Sequence, residues 1–293
     1  MSGELAAAMA AALGRKFAAA PEATVRGGSI NDCFRWQTDR GPVFVKHAPL
    51  ARLAMFEAEA DGLARLREAG ALRVPETLAL GHSDSEAFLA LEWLDIVEPD
   101  AGAEERFGEA LAWQHRVVGA GHGLARDNYV GATLQGNAAT EDWVKFWRER
   151  RLQPQLELAA ANGHTGRLQD RGRRLAEAMD VFFASYRPVA SLLHGDLWAG
   201  NRGALRDGTP VVFDPAVYYG DREADLAMTA LFGSFGPRFY SAYAATWPMD
   251  QAAGTRRALY NLYHVLNHLN LFGGGYRAQA EGMIDQLLAA AGH

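Results

Sequence analysis

Two strand-like runs interrupt the helical second half of this chain, and each ends on a polar group. Residues 189–193 lead into His194-Gly195-Asp196-Leu197-Trp198-Ala199-Gly200-Asn201, and Val211-Val212-Phe213 leads into Asp214. The fold must therefore carry two polar loops on short strands set among helices. Asp196 and Asn201 stand five residues apart, and Asp214 follows thirteen residues after Asn201. Phosphoryl transfer uses such a set: one Asp orients and deprotonates a hydroxyl, while an Asn and a second Asp supply hard oxygen ligands to Mg²⁺. Taken singly, Asp196 and Asn201 could cap a turn and Asp214 a helix; the joint spacing favours the chemical reading.

The first hundred residues read differently. Residues 31–38 place Phe34 and Trp36 on one face, Asp39-Arg40-Gly41 is a turn signal, and residues 42–47 alternate again, so the spacing predicts a hairpin. A short strand is expected near 24–26, with Gly27-Gly28 in the turn between. A helix is expected over 51–69, closed by Gly70. Residues 88–94 read as a buried strand running into a connector. Beyond residue 100, helices are expected over 103–118, 141–160 (bent or broken at Pro154), 167–185, 222–233, 237–246, 253–271 and 278–291. The expectation is an α+β fold of two lobes: residues 1–92 with a small antiparallel sheet, and 93–293, mainly helical.

Basic residues sharpen the reading of the first lobe. Of 29, only Lys16, Lys46 and Lys145 are lysine. A retained Lys suggests a compact ammonium is needed, and Lys46 lies on the second hairpin strand, where kinase-like folds hold a phosphate-binding Lys. Such a Lys wants a carboxylate from the next helix. At about 100° per residue, Leu53, Phe56, Leu63 and Leu66 share one arc. Glu59 falls inside that arc and Glu57 outside it. A carboxylate on a buried face needs a partner, so Glu59 is predicted to pair with Lys46.

Other chemistries are excluded. No lysine follows a glycine, so a Walker A loop is absent. Gly119, Gly121 and Gly123 follow a helical stretch rather than a strand, which argues against a dinucleotide fingerprint. His264 and His268 have zinc-like spacing but no intervening Glu; helix-face histidines are the favoured reading. The net charge is −6, which speaks against nucleic-acid binding. No run of 18 apolar residues appears, so no membrane helix is expected. The apolar run 6–13 has Glu4 before it and Arg15-Lys16 after it, the wrong order for an export signal, and a cytoplasmic location is expected. Cys33, the one cysteine, is read as a buried, inert thiol; the rival reading is an intermolecular disulfide.

Beyond these arguments, the chain resembles the fructosamine/ketosamine-3-kinase family, within the aminoglycoside-phosphotransferase branch of protein-kinase-like folds. The resemblance is carried by Gly27-Gly28-Ser29-Ile30-Asn31, Phe44-Val45-Lys46, Phe56-Glu57-Ala58-Glu59, Leu91-Glu92-Trp93-Leu94, Asp127-Asn128-Tyr129-Val130-Gly131, Arg150-Arg151-Leu152, the 194–201 loop, 214–228 and Leu262-Tyr263-His264 to Tyr276. Its most specific pieces are His-Gly-Asp-Leu-Trp, Asp-Pro-Ala-x-Tyr-Tyr-Gly and Asn-Leu-Phe-Gly-Gly-Gly-Tyr. It departs from protein kinases in having Gly195 where they have Arg and no Ala-Pro-Glu motif after Asp214, so a phosphorylation-controlled activation loop is not expected. Ala199 stands where this family often has Ser; little chemical effect is expected.

The resemblance implies ATP-dependent transfer of a phosphoryl group to the 3-hydroxyl of a ketosamine, small or protein-bound, a deglycation activity. Asp196 would be the base, and Asn201 and Asp214 would hold Mg²⁺. Lys46, fixed by Glu59, would touch the ATP phosphates under a turn of Gly27, Gly28, Ser29 and Asn31. Glu92, Trp93 and Leu94 would form the hinge at adenine. Asp225 would brace the catalytic loop. Trp198 and Tyr219 flank the reaction centre and are candidates for stacking on substrate; His264, His268 and Tyr276 are further candidates. Another hydroxyl kinase, acting on an aminoglycoside or choline-like amine, and a catalytically silent nucleotide-binding module remain the alternatives. Oligomeric state is open.

Overall fold

A computed structural model of the chain describes residues 2–25 and 31–293. The order of elements begins with α1 (Gly3–Leu13), β1 (Ala23–Thr24), β2 (Asp32–Thr38), β3 (Gly41–Pro49), α2 (Leu53–Ala69), β4 (Thr77–His82) and β5 (Glu86–Glu92). There follow α3 (Ala101–His115), β6 (Asn128–Val130), β7 (Thr133–Gln135), α4 (Trp143–Trp147), α5 (Gln153–Ala161) and α6 (Arg167–Ala178). The chain then forms β8 (Ser191–Leu193), β9 (Arg202–Ala204), β10 (Pro210–Val212), β11 (Tyr218–Gly220), α7 (Arg222–Met228), α8 (Pro237–Thr246), α9 (Ala253–Phe272) and α10 (Arg277–Ala290).

The first five strands make one sheet in the order β1-β2-β3-β5-β4, antiparallel throughout. The remaining strands pair two by two among the helices. This is the two-lobed α+β arrangement expected. Alternation along β3 explains why the sheet is covered on both sides. Val43 and Val45 join Trp36, Phe88 and Ala90 under Leu5 and Met9 of α1. Phe44 and Leu89 face the other way, towards Phe56, Leu63 and Leu66 of α2. Lys46 shares that second face.

The α2 side is continuous with the second lobe. Its core runs on into Leu192, Leu197, Val212 and Phe239. Gly62 makes this approach possible: a Cβ there would lie 3.2 Å from both Pro215 and Val217. The helix that carries Glu59 is thus set directly against the segment that carries Asp214.

The helix expected over 141–160, bent or broken at Pro154, is interrupted just before that proline. Between α4 and α5, residues Arg148–Leu152 form a π-helical turn, and Pro154 follows at the start of α5. Pro154 has no N–H, so the Arg150 carbonyl loses its helical donor. Arg151 replaces it, donating from Nη1 at 2.9 Å. The wide turn also swings the fully buried Arg151 inward, where Nη1 donates to the Gly136 carbonyl and Nη2 to Asn137 Oδ1, both at 2.7 Å. Its guanidinium lies over the Tyr218 and Phe146 rings, 4.2 and 4.7 Å from their centroids. A cation away from water is held here by π faces and carbonyls.

Candidate active site

The catalytic-loop candidate, residues 194–201, leaves β8 and is clamped from behind. Asp225 on α7 accepts the His194 N–H at 2.7 Å and the Gly195 N–H at 2.8 Å. His115 Nε2 lies 3.1 Å from the same carboxylate, and His115 Nδ1 lies 2.8 Å from the Tyr243 hydroxyl. Burial alone would push the Asp225 carboxyl up, but these donors outweigh it and hold it below the usual carboxylate range. Asp225 therefore braces the loop, as expected. Its partner His115 carries no signal in the sequence.

Gly195 owes its identity to the same clamp. Its φ is +83°, and a Cβ would lie 2.1 Å from the Ala216 carbonyl oxygen. Neither the conformation nor the space admits a side chain, which is a physical reason for the departure from the protein-kinase pattern.

On the front of the loop the bonding is sparse. Asn201 Nδ2 donates to the Asp196 carbonyl at 2.9 Å and to Asp196 Oδ2 at 3.1 Å. Burial pushes the Asp196 carboxyl up to about 7, the neighbouring Asp214 adds to the rise, and the Asn201 N–H opposes it. Asp214 follows β10 in the left-handed region, with φ +55°, the only non-glycine with positive φ among the described residues. Such a conformation at a non-glycine residue is sparsely populated and clusters at functional sites.

Lys46 joins the lobes. Its Nζ donates to Glu59 Oε1 at 2.7 Å and to Asp214 Oδ1. Burial would lower the ammonium's pKa, but the Asp214 and Glu59 carboxylates outweigh it and raise it. Glu59 is the partner, as the helix phase indicates; Glu57 instead pairs with Arg126 at 3.5 Å on the surface.

Two cavities flank this centre. One, about 460 Å³, is lined by Lys46, Glu59, Asp196, Asn201 and Asp214. Asn31, Trp198, His264, His268 and Tyr276 also line it. The other, about 410 Å³, is lined by Glu92, Trp93 and Leu94, with Phe44, Leu91 and Val97. Asp214 and Cys33 line both, so the cavities meet beside the Lys46 ammonium. The Leu94 N–H has no backbone acceptor among the described residues. The Glu92 side chain is occupied, paired with Arg73 and accepting the Glu76 N–H at 3.2 Å.

Not every candidate falls at these walls. Gly27, Gly28 and Ser29 lie outside the described residues. Tyr219 lines neither cavity. It pairs with Gly123 across an isolated bridge, and its ring closes on Gly119, where a Cβ would meet Tyr219 Cγ at 2.7 Å. Proximity to Asp214 in sequence misleads because β11 turns the side chain away to pack. Trp198 does reach the cavity wall, its ring covering Gly200, where a Cβ would lie 2.2 Å from Trp198 Cη2. Burial pushes the Cys33 thiol up to about 11, which keeps it protonated at neutral pH.

Sequence reasoning missed one wall. Asn128, Tyr129, Val130 and Gly131 line the first cavity. Asn128 Oδ1 accepts from Gln135 and Asn137, each at 2.8 Å, and Asn137 is held in turn by Arg151. Asn128 Nδ2 also donates to the Val217 carbonyl at 2.7 Å, so Arg151 on the π-helical turn is one of several anchors of this wall; the resemblance marks both segments without assigning them a role.

Hard oxygen donors suit a small divalent cation. Among the described residues no three His, Cys, Asp or Glu side chains could hold a metal by themselves. Mg²⁺ takes one or two protein oxygens and fills its sphere with phosphate and water, a demand that two side chains can meet. The Asn201 amide nitrogen is spent on Asp196, leaving its carbonyl oxygen, and Asp214 supplies a carboxylate.

The fructosamine kinase family model matches residues 1–290. A probable ketoamine kinase from Synechocystis is 40% identical over 94% of this chain and 92% of its own length. A protein-ribulosamine 3-kinase from Oryza sativa is 39% identical over 90% of this chain and 78% of its own. A crystal structure of a candidate fructosamine-3-kinase from Haemophilus somnus superposes with a TM-score of 0.86 at 29% identity, covering 97% of this chain and 96% of that one. A ternary complex of streptomycin, ATP and an APH-type enzyme superposes at 0.63 with 11% identity, over 98% and 96% of the chains, which speaks to the protein-kinase-like fold alone. Among the described residues no helix is long and apolar enough to cross a membrane. By sequence and by fold, this chain belongs to the fructosamine kinase family.

Proposed function

We propose that this protein is an ATP-dependent ketosamine 3-kinase, in which residues 1–92 hold the nucleotide and residues 93–293 supply catalysis and bind the acceptor. The observation that carries the reading is the meeting of two cavities at Asp214, the partner of Lys46, with Asp196 on the wall of only one. A nucleotide in the cavity beside Leu94 would direct its phosphates towards Lys46. An acceptor in the cavity beside Trp198 would direct a hydroxyl towards Asp196. Relatives named for ketoamines and protein-ribulosamines support the choice of acceptor.

Asp196 then orients the attacking hydroxyl and takes its proton; a carboxyl near pKa 7 suits a general base. Asn201 holds that carboxylate by its N–H, while its carbonyl oxygen and the Asp214 carboxylate would hold Mg²⁺. When bound, the metal neutralises charge on the transferring phosphoryl group. Lys46, braced by Glu59, meets the phosphates from the other lobe. The backbone of Trp93 and Leu94 would face adenine, and Asn31, with Gly27, Gly28 and Ser29, would cover the phosphates. Coupled-assay ATP consumption with fructosyl- and ribulosyl-amine acceptors tests the proposal. Turnover with either supports it; turnover with aminoglycosides or choline but neither ketosamine overturns it.

A further inference from the structure

One face of α9 runs along the acceptor cavity. His264, Asn267, His268, Leu271 and Phe272 all line it, and their spacing of i, i+3, i+4, i+7 and i+8 makes a single helical stripe. Polarity along this stripe runs against the usual sense, in which buried positions are apolar and exposed ones polar. The inner end is polar and buried: His264 is 4% exposed and Asn267 2%. His264 Nδ1 has no hydrogen-bond partner among the described residues, and burial pushes that imidazole down to about 3, so it stays neutral and can meet an uncharged hydroxyl.

The outer end is apolar and open. Phe272 is 54% exposed. Its ring lies 5.3 Å from His268, and Tyr276 lies 5.2 Å from the same imidazole. His268 is itself fixed, with Nδ1 2.9 Å from the His264 carbonyl and Phe232 at 4.2 Å. The helix stops immediately afterwards at Gly273, and nothing lies within 4 Å of a Cβ built at Gly273, Gly274 or Gly275. The rim therefore opens beside an ordered aromatic group. A ligand that fits this wall is polar at its inner end and apolar at its outer end.

Building on the ketosamine reading, we propose that α9 divides the acceptor between its two ends. His264, whose Nδ1 is unpartnered among the described residues, faces the hydroxylated carbon chain beside Asn267, which is held by Gln155 and Val130, and Phe272 with Tyr276 receives the apolar arm on the amine nitrogen. Phe272 is then a specificity-determining residue for the arm. The sugar's reacting hydroxyl stays with Asp196.

The test uses the full-length protein, ATP and Mg²⁺, with three acceptors that share one sugar: fructosyl-glycine, Nα-capped fructosyl-lysine, and fructosyl-lysine within a glycated folded protein. Wild type should prefer the capped lysine to the glycine. Phe272→Ala should lower the lysine-to-glycine ratio of kcat/KM about fivefold to tenfold, through KM, as loss of part of an aromatic contact predicts. Phe272→Leu should restore most of the ratio. A protein-held lysine that falls in parallel extends the assignment to protein acceptors; one that is turned over but does not respond confines it to free ones. An unchanged ratio, or an equal loss on all acceptors, overturns the inference while leaving the kinase assignment standing. A wild type that phosphorylates none of the three overturns the kinase assignment, and this inference with it.

Discussion

An aspartate stands on each side of the 194–201 loop, Asp225 fully buried behind it and Asp196 half-buried on the cavity wall in front, and the two are treated in opposite ways. Behind the loop, Asp225 accepts two backbone N–H groups and sits against His115, and its carboxyl is held down. In front, Asp196 has the Asn201 amide and a like-charged neighbour in Asp214, and its carboxyl is pushed up. Loss of water raises both carboxyls; the count of donors separates them. A carboxylate with its acceptor capacity filled fixes geometry, and one left short of donors can take a proton.

Four substitutions test how far that contrast holds. Asp225→Asn turns one acceptor oxygen into an NH₂ facing donors. Removing a partner from a fully buried network costs about 3 kcal/mol, so thermal unfolding should show a fall in Tm, with nucleotide and acceptor turnover lost together. An unchanged Tm would leave the clamp without an energetic role. Asp214→Asn should act on chemistry instead: turnover down by about 10²–10³, with the Mg²⁺ midpoint of activity raised in a titration. If only turnover moved and the Mg²⁺ midpoint did not, Asp214 would not be a metal ligand.

Gly195→Ala lies between the two faces. A positive φ at a non-glycine residue costs about 1–3 kcal/mol, and the close Ala216 carbonyl adds to it, so calorimetry should show a Tm lower by roughly 5 °C. The smallest effect belongs to His122, which is buried against Trp143 with Nδ1 unpartnered. Burial pushes it down to about 4. An unfolded His titrates near 6.5, so between about pH 6.5 and 4 the unfolded chain binds the extra proton. Its stability contribution is intact above 6.5 and is lost as pH falls towards 4. His122→Phe should reduce the acid-side decline of Tm by about 1 kcal/mol of equivalent stability and leave turnover at pH 7.5 near wild type. An unchanged decline would assign acid sensitivity to other groups.

Much of this contrast is legible in the sequence where it rests on local periodicity. The arc of Leu53, Phe56, Leu63 and Leu66 distinguishes Glu59 from Glu57 because a helix fixes side-chain direction from spacing alone. The hairpin around Lys46 and the strands before His194 and Asp214 follow from alternation and turn residues. What depends on packing between distant segments is not legible. His115 reaches Asp225 across 110 positions, Arg151 reaches the acceptor wall through a π-helical turn, and β4 pairs with β5 on a weakly patterned edge. Tyr219 shows the converse error: nearness in sequence to Asp214 says nothing about which side of β11 its ring takes.

The most direct measurement is of Asp196→Asn, with Tm, nucleotide affinity and turnover determined on the same preparation. Removing an under-donated, half-buried carboxylate should leave Tm and nucleotide affinity at or above wild-type values while kcat falls by about 10²–10⁴. Near-native turnover, or a fall in Tm comparable to that of Asp225→Asn, would contradict the assignment of chemistry to the front of the loop and structure to its back.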